Sequence, residues 1–540
     1  MLRGPSALIK RIRPGCEVYD VKCFEKGATV FYDKFLKFKQ KSEFTKPQNP
    51  FGHIQPKLEP MKNKYNVYII TVDSISTFAA FRGFNQTINY LKKQHNGVFF
   101  KNVNKVSENS LPNALAFLVG KKAVDVQDIE FNRPTIPNDF DNNPTNTYLD
   151  KKGFINFIYE YRKYVTLSSE DAKTNVFYKE SSVGMKRKVA HHTSQPFQFM
   201  NGPKSFSHDG IYHNQYDNKC DWTHKTHLNY LKNYINSYSN IPKFGHVWLS
   251  RISHLRFEGH NMFDTFFEEY FRSIQKEMDN SFVFFMSDHG FRVGNHYCKR
   301  CVGDFVTSVK GDYENKNPFL VMTIPKPLRG YQMMNNLREN SHKHLSHFDT
   351  YATLLDIVTE ADRTNYKNLS TFDFSSIVGS KYSGESLFRP INETERDCYS
   401  MGISFQYCLK TMPFIILKNI SSHSRTILHK AIIDEVNKKM VQAKLKSECD
   451  ILIPKYSRHP KIEYVVTKNQ KLYWKISAHA VQGNYLFQAY FDSNLTYIKD
   501  TMLRMDVMLG TDYCVQKSPS KVYCHCKMSK DQWLRANNIG

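Results

Sequence analysis

The segment Asn66–Ser74 places the strongest constraint on how this chain folds. It is an apolar run, rich in β-branched and aromatic residues, that ends abruptly on Asp73. This pattern is typical of a buried parallel strand that delivers a carboxylate to the carboxyl edge of an open α/β sheet, where such sheets bind their ligands. The segment Phe282–Gly290 has the same form and carries Asp288 and His289 at its end. If the two strands are neighbours, two carboxylates and an imidazole can converge on one divalent metal.

Strand-like and helix-like segments alternate from Asn66 to about Ser386, which predicts an α/β fold with a mostly parallel central sheet flanked by helices. Further strand candidates are Val98–Lys101, Phe244–Ser250 and Pro318–Ile324. One helix is clear from an apolar stripe at helical spacing, which we interpret as core packing. The stripe consists of Phe263, Phe266, Phe267, Tyr270, Phe271 and Ile274.

The chain has 540 residues, which is long for one compact domain. We expect an N-terminal extension and linker at 1–62, a catalytic core at 63–395, and a smaller Cys-containing α+β domain at 396–540. The last expectation rests on a helix near Ser424–Leu445 that precedes the alternating segments Lys461–Thr467 and Lys471–Ile476.

The net charge of +24 raises the question of nucleic acid. The basic residues are scattered, however, and no recognition motif with interleaved aromatic residues is present, so we expect no nucleic-acid partner. A positive field that attracts anionic substrates or membrane surfaces fits the same charge.

Three groups of the eleven cysteines have the spacing of disulfide staples in loops: Cys16 and Cys23, Cys398 and Cys408, and Cys514 with Cys524 and Cys526. Disulfides favour a secreted protein. Five Asn-x-Ser/Thr sequons decide nothing, because chance alone predicts about as many. They lie at Asn85, Asn368, Asn392, Asn419 and Asn494.

No apolar run reaches the roughly 18 residues that a membrane-spanning helix needs. The N-terminus Met1–Pro5 is basic and lacks the apolar region of a signal peptide. These two observations leave open an intracellular protein, or a chain that has lost its leader.

The segment Val106–Ala114 contains a candidate nucleophile. Ser110 comes just before a Leu-Pro turn and an apolar helix, so its hydroxyl could project from a helix N-terminus, a position that suits an anion. Taken alone, such a serine is more often only an N-cap. Asp73 could likewise cap a helix, and His289 could be a core imidazole.

The ordered set of motifs resembles the alkaline phosphatase/sulfatase-like superfamily and, more narrowly, the DUF229 group of animal proteins. The likeness covers roughly residues 15–410. It rests on the segments 66–73, 107–113, 288–290, 345–356, 384–388 and 396–408. The resemblance implies an alkaline-phosphatase-like core and a secreted or membrane-associated protein.

The resemblance also implies the residues of the site. Asp73, Ser110, Asp288 and His289 would form one metal site, for zinc or manganese, with Ser110 as the metal-bound nucleophile. A divalent ion lowers the pKa of such a hydroxyl and stabilises displacement at phosphorus. Asn113 resembles a catalytic asparagine that is aimed at a phosphoryl oxygen. Sulfatases of the usual kind require an arginine four residues after the nucleophile, and here that residue is Ala114.

A second metal site is expected near Ser253–His260 and His347. The resemblance places Arg256 where phosphodiesterase members have an aspartate. His254, His260 and His347 are candidates for a second ion or for proton transfer. Alternatively, the Arg256 guanidinium replaces the second cation and neutralises phosphoryl charge.

These inferences together favour a metal-dependent phosphoric-ester hydrolase or phosphotransferase of the phosphodiesterase type. Its substrate would be an anionic small-molecule, lipid or glycan phosphate ester, and peripheral membrane association fits the charge. The alternative is a catalytically degenerate member that serves as an extracellular binding module for anionic glycans or lipids.

Overall fold

The computed structural model describes residues 16–536 with several gaps. The gaps are 26–27, 52–60, 63–64, 141–142, 173–174, 196, 198–221, 255–257, 293–304, 306–307, 331, 380, 507–510 and 516–517. Arg256 therefore lies outside the described residues.

The strands of the described residues are numbered in chain order. They are β1 (Val18–Glu25), β2 (Ala28–Leu36), β3 (Asn66–Val72), β4 (Val98–Phe100), β5 (Val103–Asn104), β6 (Val165–Glu170), β7 (His192–Thr193), β8 (Lys243–Leu249), β9 (Ser281–Met286), β10 (Leu320–Thr323), β11 (Leu345–Ser346), β12 (Ile415–Ile416), β13 (Lys461–Val466), β14 (Leu472–His479), β15 (Leu486–Asp492) and β16 (Leu503–Arg504).

The α-helices are numbered in the same way. They are α1 (Thr77–Gly83), α2 (Asn85–His95), α3 (Ser110–Ala114), α4 (Ile155–Tyr161), α5 (Thr223–Ile235), α6 (Asp264–Ser273), α7 (Gln275–Met278), α8 (Val309–Lys316), α9 (Gln332–Asn340), α10 (His347–Ile357), α11 (Glu360–Arg363), α12 (Ser375–Val378), α13 (Ser422–Gln442) and α14 (Lys530–Ala536). A π-helical segment, Leu115–Val119, continues directly from α3.

Seven strands form the central sheet, in the order β4-β10-β9-β3-β8-β6-β7. The five strands from β9 to β7 run parallel, whereas β10 is antiparallel to both β4 and β9. The predicted α/β fold with a mostly parallel sheet is thus confirmed. Strand β3 lies between β8 and β9, so the two strands that end on acids are direct neighbours.

Burial on both faces explains why β3 is apolar throughout. Val67 and Ile69 pack into one hydrophobic cluster, and Tyr68, Ile70 and Val72 pack into another on the opposite face. Successive side chains of a strand point to opposite faces, so a strand covered on both faces needs apolar residues at every position. The second cluster includes Phe267, Tyr270 and Phe271 of α6, which confirms the apolar stripe as core packing.

The first two strands form an antiparallel hairpin that the sequence analysis did not predict. The hairpin shows why Cys16 and Cys23 are not paired, and Cys16 is an exposed free thiol. Cys16 precedes β1 by two residues and Cys23 lies within it, and the five extended steps from Val18 to Cys23 alone span about 16 Å. A disulfide requires Cα atoms roughly 4.4–6.8 Å apart, so the staple inferred from this spacing was wrong.

The smaller C-terminal sheet is antiparallel, in the order β12-β13-β14-β15-β16. Helix α13 packs on it through Leu428, Ile432, Ile433 and Val436. The disulfide Cys398–Cys408 was correctly read from its spacing. Two further bonds among the described residues join Cys449 to Cys524 and Cys514 to Cys526, a connectivity that spacing alone left open.

The two sheets are in contact beside the end of β9. Phe291, which follows the Asp288-His289-Gly290 motif, forms a small buried cluster with Met505, just after β16. In the part of the chain that the structure describes, none of the helices has the length and apolar character required to cross a membrane.

Candidate metal centre

Asp73 and Asp288–His289 come together at the carboxyl ends of β3 and β9. Nε2 of His289 lies 3.3 Å from Oδ2 of Asp288 and 3.9 Å from Oδ1 of Asp73. One ligand atom from each of the three side chains lies within 4.8 Å of the others, and all three residues are fully buried. Parallel neighbouring strands end at the same sheet edge, which is why the two motifs meet.

The protonation of His289 follows from its contacts. Its Nδ1 lies 2.8 Å from the backbone oxygen of Gly290, which can only accept, so Nδ1 carries the hydrogen. Nε2 therefore presents a lone pair to the carboxylates. Burial, followed by the nearby positive charge of Arg292, holds the pKa of His289 well below its usual value, so the imidazole is neutral.

Ser110 completes the group. Its Oγ lies 3.4 Å from Nε2 of His289, and the residue is 4% exposed. Ser110 is the first residue of α3, and the apolar residues that follow it are buried in the core from Leu115 to Val119. The helix therefore holds the hydroxyl against the imidazole.

The chemistry of these groups fits a divalent cation. A lone pair and two carboxylates that face each other in a buried space repel one another, and a cation removes that repulsion. Carboxylate oxygen and neutral imidazole nitrogen are ligands of zinc and of manganese. Asp73, Asp288 and His289 would hold the ion, with Ser110 adjacent to it.

Ser74 contacts the side chains of all three candidate ligands. Its Oγ donates to Oδ1 of Asp73 at 2.9 Å and lies 3.5 Å from Nδ1 of His289. Its backbone N–H donates to Oδ1 of Asp288 at 3.1 Å. The residue has φ = 63°, a left-handed conformation that is uncommon for a residue with a side chain. The sequence analysis gave Ser74 no role.

A second set of hydrogen bonds links the residues that follow β6 and β8 to Asp73. Oγ of Ser250 donates to Oδ2 of Asp73 at 2.9 Å, and the N–H of Ser250 donates to Oδ1 of Asp171 at 2.6 Å. Burial raises the pKa of Asp171 to about 6, although Arg251 opposes the shift. Asp171 follows a strand just as Asp73 does. That signal was present in the sequence but is weak, because β6 ends on polar residues.

Asn113 is not directed at the cluster. Its side-chain oxygen accepts from the N–H of Val106 at 2.8 Å. Its amide nitrogen donates to the carbonyls of Ser107 and Asn109, both at 2.9 Å. The expectation that Asn113 aims at a phosphoryl oxygen is therefore corrected. The whole amide is engaged in shaping the loop that leads to Ser110.

The expected second metal site is not assembled among the described residues. Nε2 of His260 donates to the carbonyl of Ala79 at 2.9 Å, and its ring packs against Phe84. Nε2 of His347 donates to the carbonyl of Asp288 at 2.6 Å. His254 is partly buried, and its backbone N–H donates to the carbonyl of Ser250 at 3.1 Å.

Because a nitrogen that donates cannot bind a cation with that same atom, His260 and His347 hold backbone in place through Nε2. The cluster of potential ligand side chains found among the described residues at this edge contains Asp73, Asp288 and His289, without these three histidines. Arg256 lies outside the described residues, so its proposed role stays a prediction.

The sequence model of the family described as "Protein of unknown function (DUF229)" matches residues 9–456. The chain belongs to the DUF229 family. The match spans every candidate site residue from Asp73 to His347 and confirms the resemblance found in the sequence. The comparison with curated proteins found no match for this DUF229 chain.

Among solved structures, the DUF229 chain is similar to a protein in the alkaline phosphatase superfamily from Vibrio parahaemolyticus. That match has 10% identity and a TM-score of 0.35, and it covers 92% of this chain and 93% of the other. The soluble domain of lipooligosaccharide phosphoethanolamine transferase A from Neisseria meningitidis matches at 13% identity with a TM-score of 0.35, over 58% and 93%. The lipoteichoic acid synthase LtaP from Listeria monocytogenes matches at 13% identity with a TM-score of 0.34, over 61% and 75%.

Proposed function

We propose that this protein is a metal-dependent phosphoric-ester hydrolase or phosphotransferase in which Ser110 is the nucleophile. The observation that carries the proposal is the contact of 3.4 Å between Oγ of Ser110 and Nε2 of His289, within a buried group that also contains Asp73 and Asp288. A serine that served only as an N-cap would have no reason to contact the imidazole that is grouped with these two carboxylates.

Different residues of the chain supply the nucleophile, hold the metal ion and orient its ligands. Ser110 supplies the oxygen that forms a bond to phosphorus while the bond from phosphorus to the ester oxygen breaks. The resulting phosphoserine is then resolved by water in a hydrolase or by an alcohol in a transferase. A divalent ion held by Asp73, Asp288 and His289 would lower the pKa of the hydroxyl and stabilise the charge that develops on phosphorus. Ser74 and Ser250 orient Asp73.

The test combines metal analysis with turnover of mono- and bis-(p-nitrophenyl) phosphate. Wild-type protein is expected to bind zinc or manganese stoichiometrically and to turn over at least one ester. Ser110→Ala should abolish turnover but retain metal, because three ligands remain. Asp288→Asn should lose both the metal and the turnover, because it removes a metal ligand. Ser376→Ala, which changes an exposed serine on α12, is the matched control and should behave as wild type.

Full turnover by Ser110→Ala would remove the serine from its proposed role. Wild-type protein that holds no metal after exposure to zinc and manganese would refute the proposal altogether. Phosphate esters are preferred over sulfate esters because Ala114 occupies the position of the sulfatase arginine.

A degenerate binding module is the second candidate, and the contacts of Asn113, His260 and His347 favour it. All three side chains are bonded to backbone, His260 and His347 through Nε2 only. Such a module would bind anionic glycans or lipids without turnover. Stoichiometric metal together with turnover that depends on Ser110 would exclude it.

We further propose that the chain divides into a catalytic core at 63–395 and a smaller domain at 396–540. We also propose that the protein passes through the secretory route. Three disulfides support that route. Two of the sequons, at Asn368 and Asn392, are exposed and make that route testable. The exposed side chains of Asn368 and Asn392 each accept, at 2.8 Å, from the hydroxyl two residues later. Asn143 makes the same contact with Thr145 at 2.9 Å but is followed by Pro144, which excludes glycosylation.

A further inference from the structure

Arg292 is held beside the candidate metal centre by its neighbours on the chain. Gly290 donates its N–H to the carbonyl of Asn315 at 3.0 Å. A Cβ on Gly290 would lie 1.9 Å from the carbonyl oxygen of Glu314, so only glycine allows this close approach. Phe291 is buried against Met505. The backbone that leads from His289 to Arg292 is therefore anchored on two sides.

The guanidinium of Arg292 has an N–H group that no atom of the described residues satisfies. Its Nε is buried and has no hydrogen-bond partner in that part of the chain. A buried donor of this kind costs roughly 1–3 kcal/mol when it stays unsatisfied.

Two buried lysines near this loop are already neutralised. Nζ of Lys105 donates to Glu108 at 2.5 Å and to Oδ1 of Asn315 at 2.8 Å. Nζ of Lys316 pairs with Asp312 at 2.8 Å. Among the described residues, no carboxylate forms such a pair with Arg292. Of these three cations, Arg292 is the one without a carboxylate partner among the described residues.

We propose that Arg292 binds the negatively charged oxygens of the phosphoryl group that Ser110 attacks. A planar guanidinium can present two parallel N–H groups to two such oxygens. Arg292 would thus perform the charge neutralisation for which the sequence alone offered Arg256. This inference rests on the function proposed above and adds to it a second positive group, supplied by the protein in addition to the metal.

The experiment measures the binding of Zn²⁺ and of inorganic phosphate to the zinc-loaded protein. Arg292→Met should weaken phosphate binding about 10- to 100-fold, the range expected for a lost hydrogen bond to a charged group. Its zinc affinity should stay equal or increase, because a positive charge near the metal is removed. Arg292→Lys should recover part of the phosphate affinity. Arg338→Met, which removes an exposed charge on α9, is the charge-matched control and should leave both affinities unchanged.

The outcomes separate this inference from the proposed function. If wild type binds zinc and phosphate and Arg292→Met binds phosphate equally well, the role of Arg292 is refuted while the metal centre stands. If Arg292→Met loses zinc as well as phosphate, Arg292 supports the structure of the site and the inference is again wrong. If wild-type protein binds no zinc, the proposed function fails and the role of Arg292 fails with it.

Discussion

Replacing Ser74 separates two features that this one residue combines. Its hydroxyl donates to Asp73, and its left-handed backbone, with φ = 63°, directs its N–H at Asp288. Ser74→Gly deletes the hydroxyl but allows the same backbone conformation. Ser74→Ala deletes the hydroxyl and keeps the strain. Both variants therefore lose the hydroxyl, but only Ser74→Ala keeps the strained left-handed backbone.

The magnitudes follow from the contacts. The hydrogen bond to a charged carboxylate contributes about 1.5–3 kcal/mol, and both variants lose it. A left-handed conformation costs a residue with a Cβ about 1–2 kcal/mol, whereas glycine adds about 0.5–1 kcal/mol of chain entropy to the cost of folding. Ser74→Gly should therefore be more stable than Ser74→Ala by up to about 1.5 kcal/mol. Both should be less stable than wild type.

Zinc affinity should be highest in the wild type, lower in Ser74→Gly, and equally low or lower in Ser74→Ala. Loss of a group that orients a metal ligand usually weakens metal affinity about 10- to 100-fold. We expect Ser74→Gly to fall in that range. We expect Ser74→Ala to bind at least as weakly, because any relaxation of its backbone moves the N–H away from Asp288.

The assay is chelator competition for zinc together with denaturant unfolding of the metal-free protein. Wild-type zinc affinity in Ser74→Gly would show that the hydroxyl does not orient Asp73. A Ser74→Ala protein more stable than Ser74→Gly would show that the left-handed backbone imposes no strain. Either result refutes this account of the site.

Three further predictions concern other parts of the molecule. Because the pKa of Asp171 is raised to about 6, the folded state keeps a proton that the unfolded chain releases near pH 4. Unfolding free energy should thus fall between about pH 4 and pH 6 by up to about 3 kcal/mol, and Asp171→Asn should lack this decline in matched denaturant titrations. Removing the disulfide between Cys449 and Cys524, which closes a separation of 75 residues, should cost about 4 kcal/mol, and an unchanged denaturation midpoint would contradict this. In a secretory host, Asn368→Gln and Asn392→Gln should each remove one glycan on a gel, and Pro144→Ala should add one at Asn143; no shift in any of the three would argue against the secretory route.

Much of the central architecture could be predicted because the strands are short, apolar and punctuated by polar ends. The strand expected at the start of the segment Phe282–Gly290 is β9, which runs from Ser281 to Met286. The hairpin β1–β2 was missed, because its strands lie in a Lys-rich segment without clear alternation. Disulfide connectivity was open for the physical reason that spacing does not report which loops fold onto one another.

The candidate site was only partly predictable. Asp73, Asp288 and His289 were visible because each follows an apolar strand, a local signal. The contacts of Asn113 and His260 were invisible, because a side chain's partners lie elsewhere on the chain. Arg292 was overlooked for a similar reason, since an arginine in a loop is normally exposed.

The sequence by itself determined the order of the strands along the chain and which of them end on acidic residues, because local composition sets strand formation and burial. It did not determine that β9 and β8 flank β3, which brings the ends of the two motifs together. Only the tertiary structure decided the tautomer of His289, the strain at Ser74 and the unsatisfied charge of Arg292. Each of these depends on a backbone conformation or on contacts that the packing of the whole chain imposes and that local composition does not specify.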